Sequence, residues 1–387
     1  MRYFYGAYDG QEFPSPDKLF GFDQLMQLIM QHGAKALQAI EQMLKNSDDP
    51  EQAEALRQLM EEGMIEQDGR GRPHLTSKAI KRMQQRALME VFADLRQGQR
   101  EGHERMTPGQ GGQRVEGTKP YQYGDPVSEI ELHQTLSNAL RRHGLGRGPA
   151  GRKRIRFDEH DFELHQHEGT TTCSTVVLLD MSGSMMRYGR FLAAKRVAMA
   201  MQALVRGRFP QDTLDVVGFY SGAAQIPEPL LPLAMPKPVT MYDHQVRLRV
   251  PVDKLDSAPQ HFTNLHMGLQ LARRLLRRRL SENKQLFIIT DGQPTAHVEG
   301  PYVHLIYPPD KRSVLATLKE AVAAARDGCR ISAFALIEDY WGMDWVGFVD
   351  QLVRLTRGTA FYTTSESLNS CIMESYLSGR KKKTYMA

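Results

Sequence analysis

Cysteine is scarce: Cys173, Cys329 and Cys371 are the three in 387 residues. An odd and scattered set excludes a disulfide framework and points to a reducing compartment, so a cytoplasmic location is expected. Long apolar runs are missing as well. No stretch of about 18 apolar residues occurs, and nothing in the sequence is expected to span a membrane. The opening MRYFYGAYDGQEF has no basic region leading into an apolar stretch, so no secretory leader is expected. There is no Gly-x-x-x-x-Gly-Lys-Ser/Thr, which excludes a P-loop of the chain's own. Neither a zinc-type Cys/His spacing nor a Ser/His/Asp or Cys/His grouping stands out, so nothing marks a catalytic constellation.

What is present suits a globular chain of two units. The hydrophobic fraction is 41%, ample for a core, and the length exceeds that of a usual single domain. The net charge is +5. Basic residues gather at Arg141 to Arg156, Arg273 to Arg279 and Arg380 to Lys383. These read as a linker, a solvated helix face and a frayed end. A basic stripe without a recognised module or aromatic interleaving argues against nucleic acid as the ligand, and attraction to an acidic protein surface explains the same charge.

Residues 1 to 20 are aromatic and turn-rich, a segment suited to packing on the first helix. From Phe22 to Lys45 apolar residues recur at three- and four-residue steps, with Gly33 between two halves, and further helices are expected over about 50–62 and 76–95. They define a mainly helical N-terminal region, residues 1–98. Residues 99–168 read as a linker with one helix and a leading strand. Within them, 97–120 is rich in Gly, Gln, Arg and Glu and reads as a flexible connection. A helix follows from Asp125-Pro126 to about Arg142, and GLGRGPAGRKRIR reads as a second exposed linker. Ile155 to His167 alternates as a strand does. Glu163, His165 and His167 would share one face of it, near His160 and Glu168, a geometry that could hold a transition metal. The alternative is a solvated edge with ordinary histidines.

The rest of the chain is organised around TVVLLDMSGSM, Thr175 to Met185. Uninterrupted β-branched and Leu residues suit a strand buried on both faces of a parallel sheet. That strand ends in oxygen: Asp180, Ser182 and Ser184 follow at two-residue spacing, with Gly183 allowing a tight turn. A carboxylate and two hydroxyls gathered there suit a hard divalent cation; the plain alternative is a strand running into a Ser/Gly turn. Thr263 lies in HFTNL, just before a helical pattern, and Asp291 ends the apolar run LFIITDG.

These three segments resemble the metal-ion-dependent adhesion site of a von Willebrand factor A (VWA) domain. Its motif is Asp-x-Ser-x-Ser, then a loop Thr, then an Asp at the end of the fourth strand. The resemblance covers about residues 170–380. It implies an α/β fold: a Rossmann-like, doubly wound, mostly parallel six-stranded sheet with one antiparallel edge strand, over residues 169–380, followed by a basic tail at 381–387. It also implies a metal site of Asp180, Ser182, Ser184, Thr263 and Asp291. The hydroxyls of Ser182, Ser184 and Thr263 would bind Mg²⁺ directly, with Mn²⁺ or Ca²⁺ as substitutes, and the two Asp would complete and balance the shell. Residues 227–259 and 294–309 read as two insertions beside the metal edge.

The function implied is metal-dependent binding of an Asp or Glu presented by a protein partner. The competing readings are a Mg²⁺-dependent phosphoryl-transfer or hydrolytic enzyme and, second, a nucleic-acid-associated basic protein. Phosphoryl-transfer enzymes with an Asp nucleophile at this point carry a second Asp two residues on, where Ser182 stands here. The arrangement of helical region, charged linker and VWA domain also resembles bacterial VWA proteins that work beside AAA+ ATPases. These include partners of MoxR-like ATPases and, more remotely, the magnesium-chelatase D subunit. That subunit carries an ATPase-like domain before its linker, and residues 1–98 are too short and too helical for one. Any ATPase would be a separate chain, bound directly or through its client.

Overall fold

A computed structural model describes residues 16–46, 50–69, 71–93, 114–121, 130–144, 146–147, 153–155, 157–167, 172–281, 283–337, 343–365 and 367–377. The expectations for the aromatic segment at 1–15, the polar stretch at 97–113 and the tail at 381–387 lie outside the described residues. The chain divides into two units, residues 1–100 with 173–387, and residues 101–172.

The first unit opens with helices α1 (Pro16–His32), α2 (Ala34–Asn46) and α3 (Pro50–Glu61). A hairpin of β1 (Ile65–Gln67) and β2 (Pro73–Leu75) follows, then α4 (Ser77–Ala93). The hairpin was not legible in the sequence, since strands of three residues carry too little alternation to register. Gly33, at φ +57, ends α1 in the left-handed region and sits against Leu233 and Met235, where a Cβ would collide with the Leu233 carbonyl oxygen. Gly33→Ala should therefore cost about 2 kcal/mol through left-handed strain alone, measured by urea unfolding. A change within experimental error would place the Gly33 backbone elsewhere.

The second unit contains β3 (Arg114–Pro120), α5 (Leu132–His143), β4 (Gly146–Arg147), β5 (Lys153–Arg154) and β6 (Glu163–His167). Strand β3 runs antiparallel to β6, and β4 to β5. Two expectations are corrected here. The end of the polar connection is a strand, because Arg114 and Thr118 to Pro120 find backbone partners about fifty residues away in β6, a pairing that composition does not record. The strand read as Ile155 to His167 is shorter, because Asp158 and Asp161 cap a single 3₁₀ turn, Glu159–Asp161. His160 lies in that turn and is exposed, outside the strand of His165 and His167. Glu168 lies outside the described residues.

The first unit resumes with β7 (Cys173–Asp180), α6 (Arg190–Arg208), β8 (Thr213–Phe219), β9 (Ala223–Ile226), β10 (Val246–Pro251) and α7 (Leu265–Arg277). Then come β11 (Asn283–Thr290), β12 (Ala296–Glu299), β13 (Tyr302–Tyr307), α8 (Lys311–Arg326), β14 (Cys329–Leu336), α9 (Met343–Thr356), β15 (Thr359–Thr363) and α10 (Leu368–Leu377). The main sheet has the order β15-β14-β11-β7-β8-β9, parallel except for the antiparallel edge pair β8 and β9. The expected six-stranded α/β sheet is therefore present. All eight residues of β7 are buried. Val177 and Leu179 enter the apolar layer shared with α6, α10 and α1 to α4. Val176 and Leu178 enter the layer shared with α7, α8 and α9.

Helix α6 buries 12 of its 19 residues, from Phe191 and Ala194 around to Met199 and Gln202. Its outer side is covered by the N-terminal helices, which join the same apolar layer. Buried polar groups tie that contact: Gln84 Nε2 donates to Gln202 Oε1 at 3.0 Å and to Glu228 Oε1 at 2.8 Å. Lys195 Nζ donates to the carbonyl oxygens of Met30, Pro232 and Ala234 at 2.7, 3.1 and 3.1 Å. The two segments read as separate insertions meet as one antiparallel sheet of order β10-β13-β12. It is packed by Val246, Leu255, Phe262, Ala296, Val303 and Leu305.

Candidate functional site

Strands β7 and β11 are parallel neighbours with Leu179 opposite Ile289, so Asp180 and the Thr290-Asp291 pair leave the sheet side by side. This is the carboxyl edge, where open α/β sheets place their ligands. Asp180 is fully buried. Its Oδ1 accepts from Ser182 N at 2.8 Å and its Oδ2 from Thr290 Oγ1 at 2.6 Å. Ser182 Oγ and Ser184 Oγ share a hydrogen bond of 3.1 Å, and Ser184 Oγ donates to Asp291 Oδ1 at 2.7 Å. Asp180, Ser182, Ser184 and Asp291 thus form one connected oxygen cluster.

The turn carrying the two Ser residues is held from below. Gly183 N donates to His261 O at 3.0 Å, and a Cβ on Gly183 would stand 2.5 Å from Val239 Cγ2 and 3.2 Å from His261 Cβ. Thr263 lies on the loop that begins at His261 and is buried. Its backbone N donates to Thr295 Oγ1 at 2.8 Å, and its carbonyl accepts from Thr295 N at 3.0 Å, which anchors the loop to the start of β12. Asn264 caps α7 through Met267 N at 3.0 Å and donates to Ser221 O at 2.8 Å. The hydrogen bonds that join the other four residues do not pass through the Thr263 hydroxyl.

Two participants escaped the sequence reading. Thr290 was visible as the one hydroxyl closing an apolar run. Arg190 had no such signal. Its Nη1 donates to Asp291 Oδ2 at 2.9 Å, and its guanidinium lies 5.0 Å from the Tyr188 ring centroid. It reaches the cluster because Tyr188 and Gly189 both adopt left-handed φ, 55° and 68°, and turn the chain between the serines and α6. Burial, with Asp291 as a second and like charge, pushes Asp180 up to about 7 against the pull of its hydrogen bonds; buried carboxylates shift in this direction.

The donor set suits a small hard cation. Adjacent oxygens in an octahedral Mg²⁺ shell lie about 2.9 Å apart for bonds of about 2.0 to 2.1 Å, and the hydroxyl and carboxylate separations of 2.7 and 3.1 Å bracket that value. Of the two buried carboxylates only Asp291 is paired with a guanidinium, leaving negative charge for a cation to offset. The cluster holds only two carboxylates, the remaining donors being hydroxyls, and among the described residues no group of three or more His, Cys, Asp or Glu is gathered for a metal.

An α/β sheet of this order, carrying Asp-x-Ser-x-Ser at the end of β7 and an Asp at the end of β11, defines a VWA-type domain. Residues 173–377 match the family described as Rv0959-like protein, vWA domain, and residues 113–167 match its third domain; the chain belongs to this Rv0959-like vWA family. Uncharacterized protein Rv0959 of Mycobacterium tuberculosis is 30% identical over 337 residues, covering 85% of this chain and 45% of the relative. The chain thus spans less than half the length of the curated relatives it matches. Among solved structures, the vWF domain of the type V pili tip protein Mfa5 from Porphyromonas gingivalis is 12% identical. It covers 56% of this chain and 98% of its own, with TM-score 0.37. The conserved hypothetical protein BatB from Bacteroides thetaiotaomicron is 16% identical, covering 53% and 97%, with TM-score 0.35.

Proposed function

We propose that the chain is a metal-dependent protein-interaction module. Ser182, Ser184 and Thr263 would hold Mg²⁺, or Mn²⁺ or Ca²⁺ in its place, with Asp180 and Asp291 completing the site. A bound divalent ion would supply an electrophilic position for an Asp or Glu carboxylate of a partner protein. The observation that carries this reading is the connected cluster of two carboxylates and two hydroxyls at the carboxyl edge of β7 and β11.

Charge sets the preference for an acidic partner. Asp291 is paired with Arg190, so a divalent ion added to Asp180, Asp291 and Arg190 would leave the site with net positive charge, and a partner carboxylate would offset it. Binding suits the geometry better than turnover. Asp180, the position of an attacking carboxylate in the enzyme reading, is fully buried with both oxygens engaged by Ser182 and Thr290, and no proton-transfer group is among those partners. The scarcity of cysteine, three in 387 residues, favours a reducing, cytoplasmic setting for such a module.

An AAA+ ATPase of the MoxR-like type, or its client, is the partner this reading favours, with the chain as its adaptor. The resemblance of the domain arrangement supports that assignment. The test is capture from a lysate on immobilised full chain in Mg²⁺ and in EDTA. An AAA+ ATPase or its client released by EDTA, and not captured by Asp180→Ala, is the expected result. A partner retained equally in both buffers and by the variant would sink the metal bridge.

A further inference from the structure

A second charged site lies on α7, in the layer shared with α8 and α9. Helix α7 and its C-cap residue Arg278 carry Gln270, Arg273, Arg274, Arg277 and Arg278 at the three- and four-residue steps that make one stripe. All five, with Glu320 of α8, line a single depression of ≈ 510 Å³. Cations in the last turn of a helix favour its dipole, which accounts for Arg274 and Arg277 individually but not for a concave surface lined by four guanidinium groups.

The four are not equivalent. Arg273 donates to Asp327, and to Glu320 Oε1 at 2.9 Å. Arg277 forms a two-pronged pair with Asp327 at 2.8 and 3.1 Å. These bonds hold the Asp327 carboxyl down at about 2, so the pairing persists across the ordinary pH range. Arg274 and Arg278 are exposed and have no ion pair or side-chain hydrogen bond among the described residues. Two forks are thus fixed by carboxylates, and two are left for a ligand beside them.

The lining holds no aromatic or aliphatic residue, so it offers no apolar wall to bury a base or another apolar group. A depression of this size falls within the range of small-ligand sites. Planar guanidinium forks match phosphate oxygens bidentately, two to a group. We infer that the α7 face, through Arg274 and Arg278 supported by Arg273 and Arg277, binds a short phosphate-rich anion of the oligophosphate class. This site shares no residue with the cation site.

Calorimetric titration of the full chain with tripolyphosphate in EDTA tests it. Saturable binding is expected. Loss of two charge-assisted contacts in Arg274→Gln/Arg278→Gln should weaken it by about a hundredfold. Arg274→Lys/Arg278→Lys keeps the charge without the fork and should fall between. Both positions are exposed, so an unchanged circular dichroism spectrum is expected to accompany the loss, and Asp180→Ala should bind as the wild type does. Absence of binding, or binding equal in the double Gln variant, overturns the assignment. So does loss in Asp180→Ala, which would put the anion at the cation site. A single-stranded oligothymidylate bound more tightly, with the same arginine dependence, would replace an oligophosphate ligand with nucleic acid.

Discussion

Asp180→Asn should fold, resist denaturant better than the wild type in EDTA, and gain nothing from Mg²⁺. With the ion at about a hundred times its dissociation constant, the wild type should gain about 2.7 kcal/mol, and the variant close to none. The fold should survive because an amide oxygen can still accept the Ser182 N–H now bonded to Oδ1, and Thr290 Oγ1 can accept from the new amide instead of donating. Stability without metal should rise because a second buried carboxylate beside Asp291 is removed, and uncompensated buried charge is costly. The opposite signs separate a metal ligand from a merely structural Asp. A variant that is less stable in EDTA yet gains as much from Mg²⁺ as the wild type would refute the role given to Asp180.

Arg190 sharpens that expectation. Its guanidinium occupies Asp291 Oδ2, while Ser184 occupies Oδ1, so Asp291 is already oriented before any cation arrives. In the proposed metal reading this arrangement would lower the ordering cost of binding and limit the negative charge a cation meets. A site built this way would give up some metal affinity and retain more positive potential for a partner's carboxylate.

The cluster was legible where its members are local in sequence. Asp180, Ser182 and Ser184 share one turn, so a strand period followed by oxygen donors placed them, while Asp291, at the close of an apolar run, was joined to them by the resemblance to a VWA domain. Arg190 was not legible, since its approach depends on a left-handed turn at Tyr188 and Gly189 that a non-glycine residue rarely adopts. The joining of residues 246–251 with 296–307 into one sheet was hidden for another reason: each strand alternates, but pairing across some fifty residues leaves no local mark. The burial of α6 on both sides has a mark in the sequence: FLAAKRVAMAMQALV is apolar around the helix rather than along one stripe, which is the pattern of a helix covered on all sides.

Lys195→Met should show what holds that layer in place. Lys195 is fully buried on α6. Its hydrogen-bond partners are all carbonyl oxygens, that of Met30 in the last turn of α1 and those of Pro232 and Ala234 in the chain after β9. Met fills a similar volume but takes the donor from two buried carbonyl oxygens and one half-buried one. The loss, partly offset by no longer burying an ammonium, should be about 3 kcal/mol, measured by urea unfolding at pH 7. The pH dependence has a defined sign. Burial pushes Lys195 down from its ordinary 10.5 to about 7, so between these values the unfolded chain binds the proton that the folded chain has released, and wild-type stability rises with pH. The deficit of Lys195→Met relative to the wild type should therefore widen above pH 7, by at most about 1.4 kcal/mol per pH unit, and level off near pH 10. A deficit that stays flat up to pH 10 would mean that the three carbonyl oxygens hold the ammonium more strongly than burial expels its proton. Equal stability of the two proteins at pH 7 would remove Lys195 as the link between α6 and the N-terminal helices.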